Sequence, residues 1–378
     1  MELGQQLLNR NYKGFGQSDL KLTDFAQFAG SVKVDWSVDP SSLLDKAKTI
    51  AKNVSTRLEN QGVADNLVDS EVKRPILRSL SAEQFPLILK DSINAVSLHK
   101  SLELLEEIDR HRNQSVHSHL RLAFAKALVF KISNLKFGPE VGVGKPRSHV
   151  LVIDEWFSEV ERMCTDLRAI TPADYPSAMV KLIDSRDTAR ALNGTKISAV
   201  ITSPPYPNEK DYTRTTRLES VVLGFVQDRH DLRAMKKTLL RSNTRSVYRE
   251  DDDDKFVEHI DEIQAIAEQI EARRIELGKT SGFERMYPRL TKLYFGGMAR
   301  HLKELQPSLK PGAMLAYVVG DQASYLRVMI RTGQILEKIA IDLGYEKVRI
   351  DQFRTRFSTA TKDWLNEEVV VFRWPGKK

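Results

Sequence analysis

Hydrophobic residues recur every three or four positions through most of the N-terminal half, the spacing of a helix with one buried face. This periodicity predicts helical segments at 25–36, 43–58, 82–135 and 150–167, with a glycine-rich loop at 137–146 that no helix can cross. We therefore expect residues 1–180 to form a mainly helical portion that recognises DNA or docks a partner protein.

The pattern changes after residue 180, where short apolar runs typical of buried strands alternate with amphipathic stretches. The predicted strands are 197–201, 314–319, 345–350 and 368–372, and the predicted helices are 255–276, 290–305 and 326–343. This alternation favours βαβ units and a mostly parallel sheet, so we expect an α/β catalytic half over 181–378 with a helical insertion at about 226–308. Ligands of such sheets bind at the carboxyl ends of strands, here the loops that open at Ser203 and Gly320.

Composition indicates a broad class of protein but no specific function. Of the 378 residues, 41% are apolar and 29% charged, the balance of a soluble globular protein, and no apolar run is long enough to cross a membrane. The single cysteine, Cys164, excludes an internal disulfide and a cysteine-based zinc cluster, and we expect a cytoplasmic protein. The net charge of +7 is compatible with a polyanionic partner but does not require one.

The segment Thr202-Ser-Pro-Pro-Tyr206 carries the strongest chemical signal, because it directly follows a predicted strand. Two consecutive prolines stiffen the loop and remove two backbone donors. A serine hydroxyl and a backbone carbonyl can accept hydrogen bonds from an amine, while the tyrosine ring offers a surface for stacking. These groups suit a nucleobase turned out of a duplex. The alternative is a structural strand-to-helix turn with a packed tyrosine.

These residues resemble the S-adenosylmethionine-dependent DNA amino-methyltransferases, which modify cytosine N4 or adenine N6. The segments that carry the resemblance are 202–208, 211–214, 217–219 and 223–224, with weaker similarity at 134–146, 184–187, 317–321 and 369–372. The resemblance implies a Rossmann-like methyltransferase sheet, S-adenosylmethionine as cofactor and double-stranded DNA as partner. An RNA target is a lesser alternative, because amine methylation uses similar chemistry on both polymers.

The resemblance also implies roles for individual residues. It assigns base binding and catalysis to Ser203, Pro204, Pro205 and Tyr206, and cofactor binding to Asp184, Thr202, Gly320 and Asp321. Asp184 could equally be an acid that caps a helix. A serine at the head of the motif is commoner in the cytosine-N4 enzymes, so we favour cytosine N4 over adenine N6.

A glycine-rich cofactor loop, which the family places after a strand, is not identifiable in the sequence. Gly14-Phe-Gly16 lacks a preceding apolar strand, Gly296–Gly297 lies in a helical pattern, and 142–146 fails as a phosphate loop because Pro146 replaces its Ser or Thr. We therefore expect a split enzyme in which a second protein subunit supplies this loop. The alternative is a non-catalytic DNA-binding or scaffold subunit with a degenerate methyltransferase fold.

Basic residues follow the motif and also bracket the glycine-rich loop. The predicted DNA contacts are Asn208, Arg214, Arg217, Lys236, Lys237, Arg241, Lys145 and Arg147. The alternative for the basic run is a solvated helix face. We expect no metal site, because the aspartates at 251–254 precede a helix whose positive N-terminus they suit, and sulfonium methyl transfer needs no metal.

Overall fold

The computed structural model describes residues 23–69, 72, 77–138, 140–170, 176–358 and 361–376. These residues form two compact units. The first unit takes its described residues from 23–180 and 213–232, and the second takes them from 181–212 and 233–376. Within the described ranges, no helix combines the length and apolar character needed to cross a membrane.

The first unit is built from helices. They are α1 (Asp24–Lys33), α2 (Pro40–Asn60), α3 (Ala95–Asp109), α4 (His117–Ala127), α5 (Val152–Arg168), α8 (Arg217–Val222) and the start of α9 (Arg229–Lys237). The short α6 (Thr188–Leu192) belongs to the second unit, and the chain passes from the second unit to the first within the short α7 (Tyr212–Thr215). Asp39 caps α2 by accepting a hydrogen bond from the Ser42 backbone at 2.7 Å, and Pro40 suits its first turn. The apolar stripe of α2 is fully buried, as its periodicity predicts.

A small hairpin replaces most of the predicted glycine-rich loop. Strands β1 (Leu135–Phe137) and β2 (Val141–Val143) pair antiparallel. Asn134 fixes its base, since its side-chain oxygen accepts from the Arg147 backbone at 3.0 Å and its amide group donates to the Asp91 carbonyl at 2.9 Å. Gly142 therefore lies in a strand of this pair, and the preceding helical segment ends at Ile132, before the first of the glycines.

The second unit contains a four-stranded mixed sheet. Its strands are β3 (Ile197–Thr202), β4 (Leu309–Gly320), β5 (Glu346–Ser358) and β6 (Asp363–Trp374), in the spatial order β3-β4-β6-β5. Helices α10 (Asp261–Glu276), α11 (Tyr287–Leu305) and α12 (Thr332–Asp342) lie between β3 and β5 in the chain. Helices with a mixed sheet are compatible with the α/β methyltransferase class.

The prediction of a mostly parallel sheet was wrong. Only β3 and β4 run parallel, whereas β6 pairs antiparallel with both β4 and β5. The physical reason is the connection from β5 to β6, which spans 359–362 and is far too short for a parallel crossover of a dozen residues or more.

Two predicted helices begin later than their apolar patterns suggest. Helix α12 starts at Thr332 rather than at 326, because Leu326 and Arg327 both have positive φ angles, 54° and 66°, which a right-handed helix cannot contain. Helix α10 starts at Asp261 rather than at 255, after a 3₁₀ turn at Asp253–Val257.

Helix α11 forms much of the core of the second unit together with the sheet. Its two consecutive glycines allow neighbouring segments to approach closely. A Cβ atom added at Gly296 would lie 1.9 Å from the Asp253 carbonyl oxygen, and one at Gly297 would lie 2.3 Å from a methyl group of Leu240. The helix therefore needs glycine at both positions despite the low helix propensity of this residue.

Candidate active site

The loop Ser203–Tyr206 begins at the carboxyl end of β3. Thr202, the last residue of β3, pairs with Tyr317, so β4 reaches its own end at Gly320 three residues further on. A Cβ atom at Gly320 would lie 3.2 Å from Cε2 of Tyr206, a tight contact that glycine avoids. The structure thus brings together the motif loop and the end of β4.

The loop presents one exposed hydroxyl beside a half-buried ring. Ser203 is exposed, Pro204 is buried, and Pro205 and Tyr206 are half-buried. Burial raises the pKa of Tyr206, while a side-chain hydrogen bond with Ser203 acts in the opposite sense. Tyr206 therefore stays a neutral phenol near neutral pH, with a ring suited to stacking on a flat ligand.

The segment after the motif is anchored by α9 and by residues 243–244. Asp211 accepts a hydrogen bond from Nζ of Lys236 at 2.8 Å, and both side chains are largely buried. The Glu209 carboxylate accepts from the Thr244 backbone at 3.0 Å and from the Thr244 hydroxyl at 2.9 Å. Asn208 accepts from the Lys210 backbone at 3.3 Å in a local turn. These bonds restrict the loop next to Tyr206.

Asp321 has its carboxylate engaged within the protein. One of its oxygens accepts from Arg331 at 2.6 Å and from the Asn366 backbone at 3.1 Å, and the residue is 3% exposed. These bonds fix the end of β4 against β6. A cofactor contact by Asp321 stays a prediction, and the geometry gives the carboxylate a positioning role.

Asp184 lies beside an open cavity and also caps a short turn. Its carboxylate accepts from the backbone and side chain of Arg186 at 3.0–3.1 Å, and this capping role is the alternative that the sequence left open. The cavity has a volume of about 500 Å³ and is lined by residues 181–184, Asp187 and 190–191. A volume of this size is in the usual range for small-ligand sites.

A buried histidine connects the Asp184 turn to β4, and sequence reasoning missed it. Nδ1 of His301 lies 2.8 Å from the Ser185 carbonyl oxygen, which can only accept, so Nε2 accepts from the Tyr317 hydroxyl at 2.8 Å. Burial lowers the pKa of His301 to about 4, so the ring is neutral at physiological pH. The two histidine bonds hold residue 185 against the strand that supports the motif.

Several predicted DNA contacts are engaged with other groups of the chain. Arg241 is 3% exposed and forms a two-pronged ion pair with Asp251 at 2.6 and 2.8 Å, so a phosphate contact would require those bonds to break. Lys237 pairs with Glu250 at 2.5 Å but stays partly exposed. Lys237 and Arg241 also lie over the Tyr248 ring, each 5.4 Å from its centroid.

The remaining predicted contacts lie in the first unit. The Arg217 guanidinium donates to Thr213 at 2.8 and 3.0 Å and to the Leu87 carbonyl at 3.4 Å. Arg214 is 3.9 Å from Glu140. Lys145 and Arg147 are exposed beside the small hairpin. DNA binding by these four cations stays a prediction.

The acidic cluster before α10 is satisfied by cations. Asp253 pairs with Arg186 and with Arg300, the latter at 3.1 Å, while Asp252 pairs with Lys255. Across the part of the chain that the structure describes, the group with metal-like spacing is Asp228, His230 and Asp231. Its carboxylates accept backbone hydrogen bonds around the first turn of α9, which accounts for their proximity.

Comparison with known proteins points to one class. The chain is 31% identical over 192 residues to the type II methyltransferases M.AvaI of a Nostoc species and of Anabaena variabilis, covering 47% of this chain and 38% of each relative. It is 27% identical over 228 residues to the type II methyltransferase M.BsoBI of Geobacillus stearothermophilus, covering 55% of this chain and 41% of that relative. No family model matches the chain. No solved structure matches it either.

The chain is therefore related in sequence to type II DNA methyltransferases. It spans about two fifths of the length of these relatives. The similarity agrees with the class indicated by the Ser203–Tyr206 motif.

Proposed function

We propose that this protein is the base-binding part of a DNA amino-methyltransferase that uses S-adenosylmethionine, with cytosine N4 favoured over adenine N6. The observation that carries the proposal is the Ser203–Tyr206 loop at the carboxyl end of β3, with Tyr206 against Gly320 of β4. The relationship to type II methyltransferases supports the same reaction class. The sheet then corresponds to the terminal part of a Rossmann-like methyltransferase sheet.

In this proposal, the chain's own residues hold and orient the target base. Ser203 and the Pro204 carbonyl accept hydrogen bonds from the exocyclic amine, which aligns the nitrogen lone pair for attack. The Tyr206 ring stacks on the flipped base. When bound, S-adenosylmethionine supplies an electrophilic sulfonium methyl group.

The cavity beside Asp184 fits part of the cofactor. A carboxylate can accept hydrogen bonds from an adenine amine or a ribose hydroxyl, and Leu182 and Ile183 offer apolar contact within the same cavity. Asp184 would hold that end of the cofactor, while Thr202 and Gly320 border the base-binding loop. No glycine is among the residues that line this cavity, so the loop for the methionine end is not part of it.

We propose that this loop comes from a second protein subunit that docks along β3. Support comes from the free edge of β3, which has no strand partner except β4 among the described residues. Ile201 on this strand is 58% exposed, and Leu182 in the preceding segment of the same unit is 51% exposed. An apolar strand with an unpaired edge readily accepts another strand.

The experiment is transfer of a labelled methyl group from S-adenosylmethionine to DNA, with and without the product of the neighbouring gene. We expect transfer by the pair, and a loss of at least about a hundredfold on Ser203→Ala, a loss of the size seen when one preorganised hydrogen-bonding group is removed. Ser281→Ala, at an exposed position before α11, is the matched control and should leave the rate unchanged. Methylation that survives both Ser203→Ala and Tyr206→Ala would move the active site elsewhere and favour a scaffold role.

A further inference from the structure

The hairpin formed by β5 and β6 extends past the end of β4, at the same edge of the sheet as the motif loop. Gly320, the last residue of β4, pairs with Glu367 of β6. Because β6 runs antiparallel to β4, residues 363–366 lie beyond that end, where 355–358 of β5 pair with them. The hairpin tip, defined here as residues 353–358 and 361–364, therefore projects from the edge that carries Tyr206.

Two arginines lie on the face of this hairpin that carries Tyr206. Directly opposed residues of an antiparallel pair share a face, and alternate residues along a strand return to it. Glu367 opposes both Gly320 and Arg354, and a Cβ atom at Gly320 would lie 3.5 Å from Glu367 and 3.2 Å from Tyr206. Arg356 follows two positions after Arg354, about 7 Å further along the same face.

The arginines of the tip are more accessible than Lys236 and Arg241, two of the cations that follow the motif. The Arg354 side chain is 63% exposed, with one carboxylate, that of Glu367, at 3.6 Å. Arg356 is exposed and makes no ion pair within the described ranges. The nearest acid in sequence, Asp351, is paired with Arg349 at 2.6 Å, and Asp363 within the tip is paired with Arg331 at 3.0 Å. The tip therefore presents uncompensated positive charge.

Aromatic side chains lie on the opposite face of the same hairpin, because Phe357 and Trp364 alternate with the positions of Arg356 and its partner Leu365. Phe357 and Trp364 oppose each other across the hairpin with ring centroids 5.4 Å apart, yet they are 49% and 55% exposed. Phe353 is 49% exposed. Large exposed aromatics beside arginines are typical of surfaces that bind nucleic acid, because bases stack on the rings while phosphates pair with the guanidinium groups.

We infer that the hairpin tip is a DNA-contact surface next to the flipped base. Arg354 and Arg356 bind phosphates of nucleotides that flank the target, and the Phe357–Trp364 pair packs against a neighbouring base or sugar. The inference rests on the proposed function, because a target base on Tyr206 is what brings DNA to this edge. Charge complementarity favours DNA over a protein partner.

The test measures binding of the full chain to a short labelled duplex by fluorescence anisotropy over a series of salt concentrations. Each phosphate contact contributes about 0.9 to the slope of log affinity against log salt concentration. We expect Arg354→Gln with Arg356→Gln to lower that slope by about 1.8. Arg349→Gln with Arg373→Gln changes charge equally at the other end of the hairpin, where both arginines are paired, and should leave the slope unchanged.

Trp364→Ala tests the aromatic contact separately. We expect about a tenfold loss of affinity, within the range of base–aromatic stacking, with an unchanged salt slope. All four side chains replaced in the charge variants and Trp364 are exposed, so thermal unfolding should match that of the wild-type protein.

The outcomes separate this inference from the proposed function. An unchanged salt slope in the Arg354/Arg356 variant would overturn the hairpin inference even where the wild-type complex methylates DNA. Loss of the partner protein from that variant, with an unchanged slope, would identify a protein-docking surface and overturn it as well. A reduced slope in a chain whose wild-type complex transfers no methyl group would support the hairpin and contradict the proposed function.

Discussion

Glu219 in α8 carries a carboxyl group that is buried without an ion-pair partner among the described residues. It is 5% exposed, and its Oε2 atom has no hydrogen-bond partner within the same ranges. Burial raises the pKa of Glu219 to about 7, against 4.5 for an ordinary glutamate. The folded protein therefore keeps a proton that the unfolded chain releases between these pH values.

Because Glu219 keeps this proton when the protein folds, the free energy of unfolding depends on pH. Because the folded pKa is raised, the contribution of Glu219 is complete below pH 4.5 and is lost as the pH rises through 7. Between pH 4.5 and pH 8, we expect the free energy of unfolding of Glu219→Gln to rise by up to about 3 kcal/mol relative to that of the wild-type protein. Urea unfolding at several pH values measures this difference.

The exposed Glu59 on α2 is the matched control for that experiment. Glu59→Gln should change unfolding equally at both ends of the pH range. A pH-independent difference between wild type and Glu219→Gln would show that the carboxyl group is not desolvated in the folded protein.

At the residue scale, a motif of adjacent residues can be recognised in the sequence, whereas a contact between side chains far apart in the chain cannot. Ser203–Tyr206 could be recognised because its groups are adjacent in the chain and follow an apolar strand. The His301–Tyr317 bond could not, because neither residue shows in sequence that the other will be its buried partner. Arg241 was interpreted as a phosphate contact because the sequence does not reveal that Asp251 turns back to pair with it.

At the scale of elements, periodicity found the strands and most helices but not how the strands pair. The apolar runs of β3 and β4 are short and bounded by proline and glycine, which identifies them. Strands β5 and β6 are both longer than their apolar runs, so the connection between them is short. This short connection makes the two strands antiparallel, and the apolar runs alone did not reveal it. The hairpin tip was missed for that reason, since its exposed residues have no hydrophobic alternation.

The free edge of β3 leads to a prediction about assembly. A charged side chain at Ile201 would be desolvated if a partner strand covered it, so Ile201→Asp should abolish co-purification with the partner subunit. Ile341→Asp, on the 48% exposed side chain of α12, should retain the complex. Both variants should fold as the wild-type protein does, because both positions are exposed in the chain alone. A complex that forms normally with Ile201→Asp would exclude docking along β3.

At the scale of the whole molecule, the chain combines a helical unit with a sheet unit that carries the Ser203–Tyr206 loop. It matches about two fifths of its relatives, and its 378 residues contain no recognisable cofactor glycine loop. The distribution of the charge matters more than its net value of +7, because Lys236 and Arg241 are paired and largely buried while Arg354 and Arg356 are exposed. The net charge can be counted from the sequence, but which cations are paired and which are exposed is seen only in the structure.

The most direct test of the account is mass spectrometry of nucleosides from DNA treated with S-adenosylmethionine and the chain together with the proposed partner subunit. The account predicts N4-methylcytosine in the wild-type reaction and none when Tyr206→Ala or Ser203→Ala replaces the wild-type chain. N6-methyladenine with the same dependence on both residues would correct the choice of base and leave the site intact. A methyl group on a ring carbon, or DNA without any methylated base, would contradict the central claim.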